Sequence, residues 1–317
     1  MPGKIKVGIT MGDPSGIGPE IISKAMKNSS IRRLAEFIII GDGKTFQKVN
    51  KHPVKNFKFI DLDNVSRKNL SFGKIKPAYG RASVEYIQEA VALLKRKNIN
   101  CLVTCPISKE AMQLAGYRWS GHTELLADLC GVSKPLMVLV NQYLKFALVT
   151  RHIAFKKVPQ ALTQSAICNT FLLAHKAMRQ MFGKPSPRIV ALALNPHASD
   201  GGLLGKEEED IIIPAVKKMR KRNFLLEGPL PADSGIHKLL LKEYDCALAM
   251  YHDQALIALK LTDAESGVNL TYGLPYVRTS PLHGTAFDIA GKNIANPNSL
   301  IWAIKLAVQC ARNLKNA

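Results

Sequence analysis

The chain has 317 residues, of which 47% are hydrophobic and 21% are charged, and this balance excludes the disordered and fibrous classes of protein. Its length exceeds the range of about 250 to 300 residues within which a single hydrophobic core is usual, so two lobes are expected. The sequence contains no apolar run of about 18 residues, and its first strand-like segment, from Lys4 to Val7, has no signal peptide ahead of it. We therefore expect a cytoplasmic protein without a membrane partner.

The formal net charge is +20 at pH 7, a value compatible with either a nucleic acid or an anionic small molecule as the partner. Most of the excess comes from scattered lysines. The one dense run, Lys217 to Arg222, continues a predicted helix whose dipole favours cations at its end. No interleaved aromatic pattern accompanies the charge. We expect no nucleic-acid partner, and a basic nucleic-acid-binding protein, with steeply salt-dependent binding, stays as the non-enzymatic alternative.

Six cysteines occur without a C-x-x-C pair, and most of them lie within apolar stretches. This pattern favours buried free thiols in a reducing compartment over a framework of disulfides. Cys101 and Cys105 flank a strand-like Leu-Val-Thr segment, so we interpret both as core residues.

Along the chain, apolar strand-like runs alternate with helical periodicity, which predicts a layered α/β protein with much parallel pairing. The predicted strands are Ile5–Thr10, Phe37–Gly41, Phe57–Ile60, Cys101–Thr104, Leu136–Val149, which one polar turn interrupts, Arg188–Leu194 and Cys246–Met250. The predicted helices are Pro19–Met26, Val84–Leu94, Leu125–Leu129, Ala161–Met181, Glu207–Lys221 and Asn298–Asn313.

The segment Gly12 to Glu20 follows a predicted strand and opens a helix, as a phosphate-binding loop does. It fits neither G-x-G-x-x-G nor the P-loop signature. We interpret its glycines as turn residues with Pro19 at the first helical position, and contact with a cofactor is the alternative. Farther along, His122 and Thr123 precede a short apolar helix. Thr123 either caps that helix or, with His122, forms a site for a phosphate or carboxylate.

Three histidines, His152, His197 and His252, each stand in a polar or turn-like break after a predicted buried strand. Side chains at the carboxyl ends of strands in an open α/β sheet converge on a crevice, where such folds bind ligands. Three neutral imidazoles with open positions form a catalytic metal site. Their wide spacing matches no local zinc-finger pattern, so the site would exist only in the folded chain. For each histidine, a hydrogen-bonded turn residue is the alternative.

A weakly patterned, Gly-rich loop is predicted between Lys260 and Arg278, and it contains Asn269. As isolated residues, Lys260 and Arg278 would be surface charges. Together with Asn269 they could clamp a phosphate and a carboxylate, the arginine through its fork of donors and the lysine as a point charge.

The segment from His283 to Pro297 resembles the adenine-side cofactor loop of isopropylmalate and isocitrate dehydrogenases, which bind NAD without the Rossmann fingerprint. The resemblance implies NAD as the cofactor, with NADP as an alternative. The cofactor-binding residues that it implies are His283, Gly284, Thr285, Ala286, Asp288 and Asn296.

Taken in order from Val7 to the final helix, these motifs resemble the 4-hydroxythreonine-4-phosphate dehydrogenase family of pyridoxal phosphate biosynthesis. The resemblance implies a homodimer with a two-lobed, isopropylmalate dehydrogenase-like fold, a layered α/β/α architecture with mixed, largely parallel sheets. Residues 1–118 and 270–317 would form the first lobe, with the adenine loop. Residues 119–269 would form the second lobe, with the metal ligands and the dimer interface.

Roles for single residues follow from the same resemblance. The three histidines would bind one divalent metal, zinc, cobalt, magnesium or manganese, shared across the dimer interface. The residues that would bind substrate are His122, Thr123, Lys260, Asn269 and Arg278. The catalytic base is left open between Lys260 and Asp253. Ser108 stands where relatives more often carry Asn, which puts fine substrate specificity in doubt and leaves the metal site untouched.

The implied reaction is the NAD-dependent oxidation of 4-phosphohydroxy-L-threonine to 2-amino-3-oxo-4-(phosphooxy)butanoate, followed by decarboxylation to 3-amino-2-oxopropyl phosphate. A paralogous dehydrogenase acting on 4-phosphoerythronate or 4-phosphothreonate is the alternative enzyme, since it would use the same metal and cofactor. A phosphate acyltransferase of the same general fold would need neither the three histidines nor the adenine loop.

Overall fold

The computed structural model describes residues 4–50, 57–66 and 70–316. Within these ranges the strands are β1 (Lys6–Thr10), β2 (Glu36–Gly41), β3 (Lys58–Asp61), β4 (Cys101–Thr104), β5 (Leu136–Val140), β6 (Lys145–Leu148), β7 (Ile189–Leu192), β8 (Leu226–Leu230), β9 (Cys246–Ala249), β10 (Val268–Tyr272) and β11 (Val277–Pro281).

The α-helices of the same ranges are α1 (Gly18–Lys27), α2 (Ser29–Leu34), α3 (Gly43–Val49), α4 (Pro77–Lys95), α5 (Lys109–Leu114), α6 (His122–Cys130), α7 (Val158–Ala161), α8 (Gln164–Phe182), α9 (Ile213–Arg220), α10 (Ala232–Leu240), α11 (His252–Asp263) and α12 (Asn298–Asn316). None of the helices in the described ranges is long and apolar enough to cross a membrane.

The chain divides into two compact units. The first comprises the chain up to Pro135 together with Val268–Asn316, and the second comprises Leu136–Gly267. This division places α6 in the first unit, where it contacts α4, whereas the sequence prediction put residues 119–135 in the second lobe.

In the first unit the strand order is β3-β2-β1-β4-β11-β10. The first five strands of this order are mutually parallel, and β10 is antiparallel to β11. Helix α4 packs on β1 and β2, and α12 packs on β4 and β11. Every residue of β4 and β11 is buried. Burial on both faces is typical of parallel strands in a sheet that helices cover.

In the second unit the strand order is β5-β6-β9-β7-β8. Strands β6, β9, β7 and β8 are parallel, and β5 is antiparallel to β6. Helices α8 and α11 pack on β5, β6 and β9, and α10 packs on β7 and β9. Both units therefore have the layered α/β architecture with mixed, largely parallel sheets that the sequence predicted, and the fold class is confirmed.

Two local predictions are wrong. The weakly patterned loop predicted before Arg278 is the antiparallel pair β10 and β11, and Arg278 lies within β11. The segment Val268–Tyr272 does alternate apolar and polar residues, but Gly267 and Gly273 on either side of it are typical of a loop. The turn predicted around His252 is the start of α11. Two outward apolar residues, Ile257 and Leu261, weaken the helical periodicity of that segment.

Two other predictions are confirmed. The six cysteines are free thiols, and all except Cys130 are buried. The basic run from Lys217 to Arg222 covers the end of α9, and its charged side chains are exposed.

Candidate functional site

The carboxyl edge of the second unit's sheet carries the histidines that the sequence singles out. Strands β6, β9 and β7 are neighbouring and parallel, and His152, His197 and His252 each follow the carboxyl end of one of them. Carboxyl ends of parallel strands meet at one edge, where open α/β sheets bind ligands. The structure thus places the three histidines along a common edge.

Buried hydrogen bonds tie the ends of these strands together. The Thr150 hydroxyl donates to the Met250 carbonyl at 2.6 Å, which joins the end of β6 to the end of β9. The Gln254 side chain donates to the Ala193 carbonyl at 2.7 Å and accepts from the Met250 N–H at 2.7 Å, which joins β9 to β7. The segments that carry the histidines therefore start from fixed positions.

His152 and His252 lie side by side, with their ring centroids 5.3 Å apart. Nδ1 of His252 lies 2.7 Å from Oδ1 of Asp253. A carboxylate on one ring nitrogen fixes the orientation and tautomer of an imidazole and leaves the other nitrogen for a metal. Asp253, a predicted candidate base, therefore lies where it orients His252. Lys260, the other candidate, is exposed in the last turn of α11.

The backbone that carries His197 has an unusual conformation. His197, Ala198, Ser199 and Asp200 have φ angles of 54°, 54°, 68° and 45°, so successive non-glycine residues occupy the left-handed region. This region costs an L-residue about 1 to 2 kcal/mol. Such strain persists only where the surrounding structure imposes it, and it clusters at functional sites. The His197 loop thus has a backbone conformation of the kind found at functional sites, and this observation is independent of the sequence pattern.

The carboxylate of Glu208 holds the start of this loop. Glu208 is fully buried and begins a single π-helical turn, Glu208–Ile212, a form that is frequent at functional sites. Its Oε1 accepts from the backbone N–H groups of Leu194 and Asn195, each at 2.8 Å, and its Oε2 accepts from the Asn195 side chain at 2.8 Å. Asn195 also donates to Glu207 at 2.8 Å. These acidic residues thus fix the path that leads to His197.

A cavity of about 520 Å³ lies beside His197 in the second unit. Its lining includes Asn195, Gln254 and Tyr251, the residue that precedes His252. The volume is within the range of about 300 to 1,000 Å³ that small-molecule sites have. The histidine edge of this unit therefore has room for a small ligand.

Among the residues that the structure describes, no group of three or more His, Cys, Asp or Glu side chains is placed to hold a metal ion. Two imidazoles, those of His152 and His252, are adjacent, and His197 is not grouped with them. A catalytic zinc site typically has about three protein ligands. The histidines of one chain thus fit part of a metal's donor set, and the triad stays a prediction.

In the first unit, Arg278 is a buried cation held by hydroxyl groups. Its side chain is 1% exposed. Nε and Nη2 donate to the Thr104 hydroxyl at 3.2 and 2.6 Å, and Nη1 donates to the Thr271 hydroxyl at 2.9 Å. Burial lowers the pKa of the guanidinium to about 10. No carboxylate within the described ranges forms an ion pair with it. The Glu124 carboxylate acts on the guanidinium electrostatically but makes no such contact. A buried charge without a paired partner is costly, so this site fits an anionic ligand.

His122 opens α6 within electrostatic range of Arg278. Its ring is hydrogen-bonded to the backbone of Cys105, while burial and the positive charge of Arg278 lower its pKa well below the ordinary value. The ring is therefore neutral at pH 7. Its Nε2 is buried and has no hydrogen-bond partner in the described part of the chain. Because a buried polar atom without a partner is costly, Nε2 fits a hydrogen bond to a ligand.

Thr123 is buried in the first turn of α6. The N-cap residue of this helix is Gly121, and no side chain caps it in the described structure. Of the two interpretations of Thr123, helix capping is therefore wrong, and the substrate-binding interpretation remains.

Asn269 lies on the same face of the sheet as Arg278. Asn269 and Thr271 alternate along β10, so their side chains leave one face, and Thr271 is the antiparallel partner of Arg278. Oδ1 of Asn269 is buried without a hydrogen-bond partner among the residues described. Like His122, Asn269 thus offers a buried polar atom that a ligand could satisfy.

Thr10 and Asp13 add two buried atoms, Oγ1 and Oδ2, that have no partner within the described ranges. Thr10 ends β1 beside Thr104 of β4. The other carboxyl oxygen of Asp13 accepts from the Ser15 N–H at 2.8 Å. Burial raises the pKa of Asp13 to about 7, so this carboxyl group is partly protonated at neutral pH.

The raised pKa of Asp13 predicts a pH-dependent stability. Between the ordinary pKa and about 7 the folded state binds the proton more tightly than the unfolded chain does, so this group's contribution to stability falls as pH rises through that interval. Asp13→Asn should therefore raise the free energy of unfolding by about 2 to 3 kcal/mol more at pH 8 than at pH 5. Urea unfolding at the two pH values measures the difference. Asp210→Asn, at an exposed carboxylate, is the control, and an equal effect of Asp13→Asn at both pH values would contradict the buried acid.

The predicted cofactor segment, from His283 to Pro297, connects β11 to α12. Burial lowers the pKa of the His283 ring, and its Nε2 is buried without a partner among the described residues. The other predicted cofactor residues are exposed or half-buried along this loop: Gly284, Thr285, Ala286, Asp288 and Asn296. The loop therefore presents an accessible surface, and the assignment of these residues to the cofactor stays a prediction.

Sequence reasoning missed several residues that the structure places at these sites. They are Thr10, Asp13, Thr104, Glu208, Gln254 and Thr271. A usable signal existed for Thr10 and Thr104, because each is a polar residue that closes an otherwise apolar strand. Glu208 gave no such signal, since it stands in a run of acidic residues that reads as a solvated helix start.

The chain is similar to proteins of one family over nearly its whole length. A family model described as pyridoxal phosphate biosynthetic protein PdxA matches residues 18–307. The 4-hydroxythreonine-4-phosphate dehydrogenase of Sulfurihydrogenibium sp. (strain YO3AOP1) is 41% identical, with 97% of this chain and 99% of the relative covered. The putative D-threonate 4-phosphate dehydrogenase of Fusobacterium nucleatum is 36% identical, with 99% of each chain covered.

The crystal structure of a 4-hydroxythreonine-4-phosphate dehydrogenase from Klebsiella pneumoniae has a similar fold. It superposes with a TM-score of 0.87 at 34% identity, and the match covers 97% of this chain and 98% of that one. The predicted family and its α/β fold are thereby confirmed. This chain belongs to the PdxA family of pyridoxal phosphate biosynthetic proteins.

Proposed function

We propose that this protein is a 4-hydroxythreonine-4-phosphate dehydrogenase. In this proposal it oxidises 4-phosphohydroxy-L-threonine with NAD to 2-amino-3-oxo-4-(phosphooxy)butanoate, which loses carbon dioxide to give 3-amino-2-oxopropyl phosphate for pyridoxal 5'-phosphate biosynthesis. The observation that carries the proposal is the buried guanidinium of Arg278, which forms no ion pair among the described residues and fits a phosphate or carboxylate. Relatives that bear this enzyme's name support the same reaction.

Substrate recognition would rest mainly on buried groups of the first unit. Arg278 would bind an anionic substrate group through two parallel donors, and Thr104 and Thr271 hold its guanidinium in place. The neutral His122 would use Nε2, and Asn269 would use its side-chain amide, to bind polar groups of the substrate. Thr123 and Lys260 complete the proposed set. Because the guanidinium of Arg278 is held and His122 and Asn269 present buried atoms before the substrate arrives, little free energy would be lost in ordering these three groups.

The three histidines would hold one divalent metal, which when bound lowers the pKa of the substrate hydroxyl and makes hydride removal easier. Imidazole donors suit zinc or cobalt, and oxygen donors from the substrate would allow magnesium or manganese. Asp253 would keep His252 in the tautomer that presents Nε2. Lys260 and Asp253 are the candidates for the group that removes the hydroxyl proton.

NAD, with NADP as the alternative, would lie against the loop from His283 to Pro297 and accept the hydride. His283 Nε2 supports this, since it is a buried ring nitrogen without a partner in the described part of the chain. We also assign the enzyme to the cytoplasm, which its free, mostly buried thiols support.

A homodimer would complete the metal site. Four apolar side chains of the second unit are largely exposed: Phe155 (71%), Leu203 (81%), Ile257 (60%) and Leu261 (83%). Contiguous exposed apolar surface marks protein interfaces, whereas single exposed apolar residues are ordinary. Ile257 and Leu261 are four residues apart and so share one face of their helix, and a twofold dimer buries the same surface on both subunits. Ile257 and Leu261 lie on α11, the helix that begins with His252. A second copy that docks there would reach the histidine edge and could supply the missing ligand.

The test is NADH formation by the purified, metal-reconstituted protein with 4-phosphohydroxy-L-threonine, run with and without a chelator. We expect strong turnover that the chelator abolishes, because the hydroxyl must be activated by the metal. Parallel reactions with 4-phosphothreonate and 4-phosphoerythronate provide the comparison. Turnover of only the sugar acid phosphates would overturn the proposed substrate, and no turnover of any of them would overturn the dehydrogenase itself.

A dehydrogenase of 4-phosphothreonate is the second candidate. The similarity to the Fusobacterium nucleatum protein, named as a putative D-threonate 4-phosphate dehydrogenase, favours it. Both substrates carry a phosphate that Arg278 would bind, and they differ in the amino group. The kcat/KM ratio for the two substrates therefore separates the candidates.

A further inference from the structure

The Gly-rich segment Gly12 to Glu20 packs against the loop from His283 to Pro297. Its sequence predicts only a turn before α1. The Ile17 N–H donates to the Thr285 carbonyl at 3.0 Å. A Cβ added at Gly16 would lie 3.0 Å from that same carbonyl oxygen and 3.2 Å from the Thr285 Cβ. Glycine at position 16 therefore permits a close approach that a larger residue would oppose. The segment and the loop meet as backbone against backbone.

Beyond this contact, Glu20 and Lys24 hold the far end of the loop through a network of hydrogen bonds. Oε1 of Glu20 accepts from the Ala295 N–H at 2.8 Å, and Oε2 accepts from the Asn293 N–H at 3.2 Å. Nζ of Lys24 donates to the carbonyls of Asn293 and Ala295 at 3.0 and 2.8 Å, and to Glu20 at 2.9 Å. Both backbone groups of both loop residues are thus bound by one ion pair on α1.

This ion pair differs from an ordinary surface salt bridge. Glu20 is 3% exposed and Lys24 is 25% exposed, and every bond in the network has a charged partner, which makes each about twice as strong as a neutral one. Glu20 also lies in the first turn of α1, where the helix dipole favours a carboxylate. Of the two loop residues that are held, Ala295 is buried, whereas Asn293 and its neighbours Lys292 and Ile294 have exposed side chains. Side-chain packing therefore does little to fix the segment from Lys292 to Ile294, and the ion pair is what binds its backbone at Asn293.

We propose that Glu20 and Lys24 are positioning residues for the nicotinamide cofactor: they fix the backbone at Asn293 and Ala295, so that the loop from His283 to Pro297 has its binding conformation before the cofactor arrives. This inference rests on the proposed function, which assigns NAD to that loop. It gives the N-terminal motif a role in cofactor affinity without any direct contact with the cofactor. Without the ion pair, the cofactor would have to order the loop as it binds, and the free energy of NAD binding would be less favourable by that cost.

The test compares Lys24→Met with Lys27→Met, a matched change on the same helix at an exposed lysine. Isothermal titration with NAD should give a dissociation constant about tenfold or more higher for Lys24→Met, as expected for lost charge-assisted bonds. Lys27→Met should stay within about twofold of the unchanged protein. With NAD saturating, Lys24→Met should keep its kcat and its KM for the phosphorylated substrate, because the chemistry itself is untouched.

Two further variants keep the test decisive. Lys24→Arg retains donors for both carbonyls and should recover most of the affinity, which a loss of general stability would not explain. Glu20→Gln keeps the shape of the side chain but lacks the charge, so it should weaken NAD binding and raise hydrogen exchange at the amides of Asn293 and Ala295.

The outcomes separate the inference from the proposed function. If the unchanged protein fails to bind NAD, both are overturned. If it binds NAD and Lys24→Met binds as tightly as Lys27→Met, the positioning role alone is overturned. If Lys24→Met lowers kcat and substrate affinity as strongly as NAD affinity, the network is a general structural support and the inference fails.

Discussion

Replacing Arg278 with Met should lower kcat/KM for 4-phosphohydroxy-L-threonine by about a thousandfold, since truncating one partner of a buried charge pair costs about 2 to 5 kcal/mol and about 1.4 kcal/mol is a factor of ten in rate. The guanidinium is buried and oriented by Thr104 and Thr271. A neutral side chain at this position would leave the phosphate or carboxylate of the substrate without its counter-charge. Steady-state kinetics at saturating NAD measure the loss.

The same substitution should leave the folded state nearly as stable. Burial disfavours the charged guanidinium and lowers its pKa to about 10, so at pH 7 the charge of Arg278 destabilises the unliganded protein. Met removes that cost and gives up the hydrogen bonds to two threonine hydroxyls, so the free energy of unfolding should change by less than about 2 kcal/mol. Arg81→Met, at an exposed arginine of α4, is the control for both measurements. Near-normal kcat/KM in the Arg278 variant would contradict its role as the anion-binding residue.

His197→Ala should abolish metal-dependent turnover and raise the dissociation constant for Co²⁺ by at least about a hundredfold, because even residues that only support a metal ligand contribute about 10- to 100-fold in affinity. The fold should survive, since the side chain of His197 is exposed. Calorimetric titration of the metal-free protein with Co²⁺ measures the affinity independently of activity. The control is His237→Ala, at an exposed histidine of α10. Full activity of the His197 variant would refute the metal assignment.

Mixing single-histidine variants tests whether the metal site is shared between subunits. Two inactive variants whose missing ligands come from different subunits should recover about a quarter of normal activity, because about half of the mixed dimers are hybrids and each hybrid has one intact site. Variants of His152, His197 and His252 give three pairs. The adjacency of His152 and His252 within one chain leaves His197 as the ligand to examine first. Failure of every pair to complement would exclude a site shared between subunits.

The sequence predicted the histidine edge because the physics that places it is local. A buried parallel strand needs a continuous apolar run, and a polar break at its carboxyl end is visible without knowledge of the rest of the fold. His152, His197 and His252 each follow such a run, and the structure places them at one edge. The family resemblance then supplied the roles that spacing alone left open.

The parts that the sequence did not predict depend on contacts between distant segments. Arg278 and Thr104 are 174 residues apart in the chain, so the burial of Arg278 follows from the pairing of β11 with β4 and from no local pattern. The bonds from Glu208 to Leu194 and Asn195 likewise belong to the folded loop. Hydrophobic periodicity predicts which face of a helix or strand is apolar. It does not predict which polar side chains of distant segments contact each other.

The left-handed backbone from His197 to Asp200 also bears on how this protein can be improved. Glycine adopts such a conformation without steric cost, so substitutions toward glycine at Ala198 or Ser199 would relieve strain in the native state. They would also let the loop sample other conformations, so that the position of His197 would no longer be fixed. Engineering or evolution toward higher thermal stability would thus act against the geometry of the histidine at this loop, and stabilising changes are better sought elsewhere in the chain.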